Sequence, residues 1–318
     1  MSTLVTGAQG FVGSRLAERL LERGERVIAL RRDVDPISRF ATEGIGARCV
    51  LALADLVDHD AIARVLNEHE VETVYHLAAQ TIVGTANRSP LSTWEANVRG
   101  TYTLLEACRE SRSVERIVVA SSDKAYGEHR ELPYREDFAL EPRYPYDVSK
   151  ACADLIARSY SATYGLALAV TRLANVYGPG DLNWSRLVPE TARALARGER
   201  PLVRSDGTPE RDYLYVDDAV SAYLAVADSL ARPELHGRAW NAGWGRPVAV
   251  LNMVRALIAL SGRELEPDVR GEGCPPGQIE RQFLDSSAIR TELGWAPEWG
   301  LERGLAATWE WYSTRFAT

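Results

Sequence analysis

Through the first two thirds of the chain, short runs of β-branched and aliphatic residues alternate with longer stretches whose apolar positions recur at helical spacing. Strands are expected at residues 4–6, 27–30, 48–51, 74–77, 116–120 and 167–173. Helices are expected at 11–23, closed by Gly24, and at 59–69, 92–110 and 146–164. Strands separated by crossovers of this length predict an α/β fold with a doubly wound parallel sheet. After Asn175 the texture changes. Gly178-Pro179-Gly180, Gly207-Thr208-Pro209 and Gly273-Cys274-Pro275-Pro276-Gly277 punctuate shorter elements, which predicts a smaller C-terminal lobe over the carboxyl edge of the sheet, where ligands bind. The expected division assigns 1–174, with a returning segment at about 211–243, to the sheet domain, and 175–210 with 244–318 to a substrate-binding lobe.

Composition narrows the function classes. The 318 residues are 46% hydrophobic and 25% charged, as in ordinary globular proteins. The net charge of -7 is interspersed, and the absence of a basic stripe argues against nucleic acid as a partner. Cys49, Cys108, Cys152 and Cys274 form no CxxC pair, which argues against a disulfide framework or zinc site and fits a reducing compartment. The histidines lack metal-ligand spacing, so no metal is expected. No apolar run reaches membrane-spanning length, and the strand-like N-terminus is unlike a signal peptide. The expected setting is cytoplasmic, with no membrane partner.

Between the first strand and first helix lies Thr6-Gly7-Ala8-Gln9-Gly10-Phe11-Val12-Gly13. Its glycines permit a tight turn and close backbone approach, and the helix N-terminus offers amides to a pyrophosphate. Glycines also collect in ordinary turns, but at the first strand–helix junction of an alternating β/α chain the signal is specific. Gly7, Gln9, Gly10, Phe11, Val12 and Gly13 are thus candidate dinucleotide contacts. Leu30 is followed by Arg31 and Arg32, which suit a 2′-phosphate and favour NADP over NAD, or are exposed solubilising charges; Asp33 keeps NAD open. Asp55, with Leu56 beside it, either meets the adenine or caps the next helix.

Tyr146 and Lys150 share a helical face, one turn apart. A free tyrosine, with a pKa of about 10, is a poor base at neutrality. A neighbouring ammonium and a positive nicotinamide would favour its phenolate. Chance produces many such pairs on helices; this one follows a strand ending in Ser121-Ser122, which makes it specific.

Seven motifs occur in an order that resembles the extended short-chain dehydrogenases/reductases of the nucleotide-sugar epimerase and dehydratase group. They are TGAQGFVG (6–13), YHLAAQ (75–80), NVRGT (97–101), SSDKAYG (121–127), YDVSK (146–150), RLANVYGPGD (172–181) and RDYLYVDD (211–218). The resemblance implies a Rossmann-type sheet, a catalytic set of Ser122, Tyr146 and Lys150, cofactor contacts at Leu77, Ala78, Ala79 and Asn97, and Gln80 toward the substrate. Within the group, the two residues after that serine are small in 4-epimerases and carry acid and base in 4,6-dehydratases; here they are Asp123 and Lys124. Ser-Asp-Lys and GDLNWSRLVP (180–189) resemble CDP-glucose 4,6-dehydratases, whereas AAQTIVG (78–84) and the basic end of strand two resemble GDP-mannose enzymes. ERQFLD (280–285) resembles the general epimerase/dehydratase pattern.

The resemblance implies a mechanism. Tyr146 removes the O4 proton while hydride leaves C4, Asp123 protonates the departing 6-hydroxyl, and Lys124 or a nearby group takes the C5 proton before hydride returns to C6. An ion pair bracing the loop is the plainer reading of Asp123 and Lys124. Asn175, Arg211 and Asn241, with Arg281 as a further candidate, would hold the substrate diphosphate, and Arg186 and Leu187 would approach the nucleotide base. The family's four-helix homodimer interface corresponds to the helices at 92–110 and 146–164. Competing functions are a 4-epimerase, a decarboxylase of UDP-glucuronic acid and, remotely, a non-catalytic dinucleotide sensor. His76 reads as a structural histidine, and Trp295, Trp299, Trp309 and Trp311 as packing for the last helix.

Overall fold

A computed structural model describes residues 1–274 and 279–316; Pro275, Pro276 and Gly277 of the expected turn lie outside them. The first part of the chain runs through β1 (Ser2–Thr6), α1 (Phe11–Glu22), β2 (Arg26–Arg31), α2 (Arg39–Thr42), β3 (Val50–Leu53), α3 (His59–Glu68) and β4 (Thr73–His76). Next come α4 (Val83–Arg88), α5 (Pro90–Trp94), α6 (Gly100–Glu110), β5 (Arg116–Ser122), α7 (Pro145–Tyr164) and β6 (Leu168–Leu173). The remainder supplies β7 (Asn175–Tyr177), α8 (Leu187–Ala196), β8 (Leu202–Val203), β9 (Glu210–Tyr215), α9 (Val216–Ser229) and β10 (Ala239–Ala242). Last are β11 (Pro247–Ala249), α10 (Val250–Ser261), β12 (Asp268–Val269), β13 (Arg281–Gln282), α11 (Ser287–Leu293) and α12 (Leu301–Phe316).

The large sheet has the order β10-β6-β5-β4-β1-β2-β3, with parallel pairing throughout. Helices cover both faces, so its central strands read as near-continuous apolar runs; every residue of β1 and β6 is buried. Strand order reverses between β1 and β4, opening the crevice in which ligands of such sheets bind. Helix α7 starts on Pro145, whose missing N–H costs nothing in the first turn, and ends on left-handed Gly165.

Two elements differ from the sequence expectation. The third strand is Val50–Leu53 rather than 48–51, because Gly46–Arg48 closes a 3₁₀ turn just before it. The helix expected at 92–110 is interrupted by a π turn, Glu95–Arg99, between α5 and α6. That wider turn carries Asn97, whose Oδ1 accepts from Gln80 N at 2.6 Å while its Nδ2 donates to Gln80 O at 3.0 Å.

In the lobe, β9 is flanked by β11 and β13 and also pairs with β7. Strand β9 therefore belongs to the small sheet, and the return to the large sheet starts at Val216 rather than 211; α9 and β10 complete it. Trp299 stacks on Tyr215 with centroids 4.3 Å apart, Trp295 donates to Ser221 Oγ at 2.8 Å, and Trp311 donates to Glu43 at 3.1 Å. Trp309 packs in the lobe's apolar cluster. These tryptophans pin the C-terminal segment to the body. Among the described residues no helix is long and apolar enough to cross a membrane.

Candidate active site

At the crevice, the glycine loop presses against the end of β4. Gly7 adopts φ +72°, and a Cβ there would lie 2.8 Å from Ala78 N; a Cβ on Gly13 would overlap the Gly7 carbonyl. Thr6 Oγ1 accepts from Leu77 N and Ala78 N, both at 3.1 Å, and bonds His76 Nδ1 at 2.9 Å. His76 Nε2 meets Thr101 Oγ1 at 3.0 Å, and burial pushes the imidazole down to about 3, so it is neutral and structural. Gly10, Phe11, Val12, Leu77, Ala78 and Ala79 line this cradle, with Leu56 packed beside Gly100 behind it. The cradle fits a pyrophosphate, because the space a side chain would fill is kept clear and the first turn of α1 faces it.

The polar candidates around it divide. Gln9 spends its carboxamide on the segment after β2, donating to Asp33 O at 2.7 Å and accepting from Asp35 N at 3.0 Å. Arg31 holds a buried, unpartnered Nε, whereas Arg32 is exposed and paired with Asp33 at 2.7 Å. Asp55 is exposed and bonds Val57 N; the cap of α3 is Asp58, which accepts from Ala61 N at 3.0 Å.

The catalytic candidates meet where β5 runs into a 3₁₀ turn, Asp123–Tyr126, packed against the start of α7. Ser122 Oγ donates to Asp123 Oδ1 at 2.9 Å and accepts from Lys124 N at 3.2 Å, and it lies close enough to Tyr146 to favour the ionised phenol. Lys150 Nζ donates to Ala120 O at 2.8 Å, and burial lowers it to about 8. Burial pushes Tyr146 up to about 12; the cation acting against this is Arg186, not Lys150. Lys150 thus places one of its three N–H donors on a carbonyl of β5. Asn97 supports the same helix, donating to Ser149 Oγ at 2.8 Å.

Asp123 and Lys124 are shifted in opposite senses. Burial raises the Asp123 carboxyl, whose Oδ2 is enclosed without a partner. Burial, reinforced by Arg211, lowers the Lys124 ammonium. This leaves a carboxyl biased toward its acid form beside an amine biased toward its base form. Asp147, which the sequence reading did not single out, acts on Lys124 and Tyr146 and is itself pushed up to about 6 by burial.

The substrate candidates are scattered in a telling way. Arg211 is buried, donates to Glu210 O and Glu280 O, and its charge reaches Asp123 and Lys124. Arg186 pairs with Asp181 at 3.1 Å, precedes Leu187 at the start of α8, and acts on Tyr146. Asn175 donates weakly to Asp212 O at 3.4 Å, and Gln80 Oε1 accepts from Ile82 N. Two candidates lie elsewhere. Asn241 is fully buried in β10, accepting from Tyr126 OH at 2.7 Å and donating to Tyr134 O at 2.9 Å, so both ends of its amide are used within the wall. Arg281 faces solvent and pairs with Glu210 at 2.6 Å. Next to it, Gln282 was overlooked: it is fully buried, registers with Arg211 across the parallel ladder, and neither carboxamide atom has a partner. Registered residues in parallel strands point to the same face, so Gln282 and Arg211 project together.

A core network braces the 3₁₀ turn from behind. Arg172 on β6 is 1% exposed and forks onto Asp154 of α7 at 2.8 and 3.0 Å while donating to Tyr126 OH at 2.8 Å.

Comparison with known proteins gives the family of the chain. Residues 3–243 match the family described as NAD dependent epimerase/dehydratase family. The dTDP-glucose 4,6-dehydratase of Xanthomonas campestris pv. campestris is 32% identical over 331 residues, 98% of this chain and 93% of that protein. A UDP-glucose 4-epimerase structure from Thermotoga maritima, with UDP-glucose, superposes with a TM-score of 0.90 at 30% identity and covers 99% of both chains. A dTDP-glucose 4,6-dehydratase structure from Streptomyces venezuelae, with NAD bound, gives 0.88 at 31% identity over 99% of this chain and 98% of its own. Some relatives are longer: the chain spans 47% of an Arabidopsis thaliana trifunctional UDP-glucose 4,6-dehydratase/epimerase/reductase, at 30% identity. Fold, glycine cradle and Tyr–Lys helix thus converge with the family match: the chain belongs to the NAD dependent epimerase/dehydratase family, within the extended short-chain dehydrogenases/reductases.

Proposed function

We propose that the chain is a nucleotide-sugar 4,6-dehydratase using NAD. The observation that carries this is the opposed shift of Asp123 and Lys124 at the end of β5, an acid and a base with no use in a simple 4-epimerisation. A dinucleotide held by its pyrophosphate in the glycine cradle would supply, through its nicotinamide, the hydride acceptor at C4 and the donor at C6. Tyr146, with Ser122 and Arg186 favouring its ionised form, takes the O4 proton. The resulting 4-ketone acidifies the hydrogen on C5. Asp123 delivers its proton to the departing 6-hydroxyl, and Lys124 or a nearby group receives the one from C5. Arg211 and Asn175 support a diphosphate, with Arg186 and Leu187 on the nucleotide side. Since Arg32 is already paired with Asp33, the basic end of β2 offers less to a 2′-phosphate than its sequence suggests, which favours NAD over NADP.

Exposed Leu91, Trp94 and Tyr102 on α5 and α6, with Leu155 and Tyr164 on α7, support a homodimer through a four-helix bundle. Dispersed cysteines fit a cytoplasmic setting. The second reading is a 4-epimerase, favoured by a Thermotoga maritima epimerase superposition as good as that of the Streptomyces venezuelae dehydratase. Mass spectrometry after incubation with CDP-glucose, dTDP-glucose, UDP-glucose, GDP-mannose and UDP-glucuronic acid separates the two. Loss of one water from one substrate is expected. An isomer of unchanged mass, or loss of carbon dioxide, overturns the dehydratase reading.

A further inference from the structure

Resting on the dehydratase reading, we propose that Asp147 is the group that takes the C5 proton, a catalytic carboxylate one residue beyond Tyr146 that works beside Lys124. Asp147 lies in the first turn of α7 and is only 5% exposed. An acidic residue there ordinarily serves the helix, bonding a free amide or complementing the dipole. This one accepts no hydrogen bond and forms no ion pair among the described residues, so the helix dipole alone offsets its burial. The charges that act on it come from the facing 3₁₀ turn, Lys124 drawing it down and Asp123 pushing it up; Arg211 from β9 and Cys274 from the lobe bear on Lys124 behind them. Tyr146, its chain neighbour, must reach O4, and the adjacent C5 hydrogen is the next proton to be removed. Held near 6, the carboxyl is ionised at neutrality yet more basic than an ordinary aspartate, whereas Lys124 must first lose a proton to act.

The step balances. Asp147 gains the C5 proton, the C–H electron pair forms the C5=C6 bond, and the C6–O bond breaks with Asp123 protonating the leaving oxygen to water. The Asp147 carboxyl exchanges its proton with solvent; as hydride reaches C6 it delivers a solvent-derived proton to C5, and the proton taken from O4 replaces the one Asp123 gave up.

The test follows C5 in deuterated water, using CDP-glucose, dTDP-glucose, UDP-glucose and GDP-mannose. Wild type should release water and place deuterium at C5. Asp147→Asn should slow water release by about 100-fold or more and abolish C5 deuteration. Lys124→Met should still deuterate C5, and Asp147→Glu, which keeps a displaced carboxylate, should deuterate slowly; the Glu variant decides the matter if the Asn variant does not fold. C5 deuteration at the wild-type rate in Asp147→Asn, or its loss in Lys124→Met alone, overturns the assignment. Wild type that releases water from none of the four sugars fails the dehydratase reading itself, before any variant is compared.

Discussion

The glycine cradle at the ends of β1 and β4 and the acid–base cluster at the end of β5 share one edge of the sheet but are made of different materials. The cradle is backbone and neutral polar groups: left-handed Gly7, the excluded Cβ of Gly13, and the Thr6–His76–Thr101 chain. The cluster is ionisable groups, Asp123, Tyr146, Asp147 and Lys150 buried and Lys124 half-buried, each displaced from its ordinary titration by loss of solvent. A cradle of this kind holds its shape whatever the charge state around it. In the cluster, by contrast, reactivity is a property of the environment, and the same residues on a solvated helix would be inert.

The largest effect should come from the cluster. Tyr146→Phe removes the hydroxyl proposed to take the O4 proton and should cut turnover by on the order of 10⁴-fold, about 5 kcal/mol of barrier. Cofactor affinity, read by fluorescence titration, should change little; a comparable loss of affinity would erase the division between the two regions. The next effect probes the network behind the cluster. Asp154→Asn leaves Arg172 charged and buried without its carboxylate, and should lower unfolding free energy by about 3 kcal/mol or more in urea titration. A smaller loss would mean that Tyr126 and the Glu136 carbonyl hold the guanidinium unaided.

Legibility in the sequence divides along the same line. The sheet, its crossovers and the cradle could be read directly, because glycine spacing and apolar runs are local signals that dictate backbone form. Ser122, Tyr146 and Lys150 were legible by motif, but not which cation faces the tyrosine: Arg186 comes from the approach of α8, which no local pattern encodes. The partners of Asn241 are non-local in the same way: its motif suggests a ligand contact, and the fold sets it on β10, at the end of the large sheet, where Tyr126 and Tyr134 bond its amide. Asp147 was visible within YDVSK all along; its burial was not. For Gln282 the only signal is the register of β13 beside Arg211, a pairing between distant segments.

Acid should expose the cradle's dependence on neutral groups. His76 is held near 3 in the folded protein and reverts to about 6.5 on unfolding, so between these values the unfolded chain binds the extra proton. Its contribution to stability is complete above about pH 6.5 and falls as pH drops, by about 2 kcal/mol at pH 5. Asp147 and Asp212, both raised to about 6, oppose it, since each gains stability as pH falls toward its unfolded value. The clean measurement is therefore the difference between wild type and His76→Gln. It should shrink from pH 7 to pH 5; a constant difference would show that the imidazole is not held neutral.

The smallest effect tests the one place where the cradle borders free charge. Arg32 and Asp33 form an exposed pair at 2.7 Å, a type of contact that contributes at most about 1 kcal/mol. Arg32→Ala should therefore leave stability nearly unchanged and alter the preference for NAD over NADP by no more than about fivefold, measured by titrating each dinucleotide. Arg31 differs, because its Nε is buried and unpartnered at the end of β2. If Arg32→Ala instead cost NADP affinity by orders of magnitude, the exposed pair would have to open on binding, and the cradle's edge would join the cluster as a region whose charge state depends on what sits beside it.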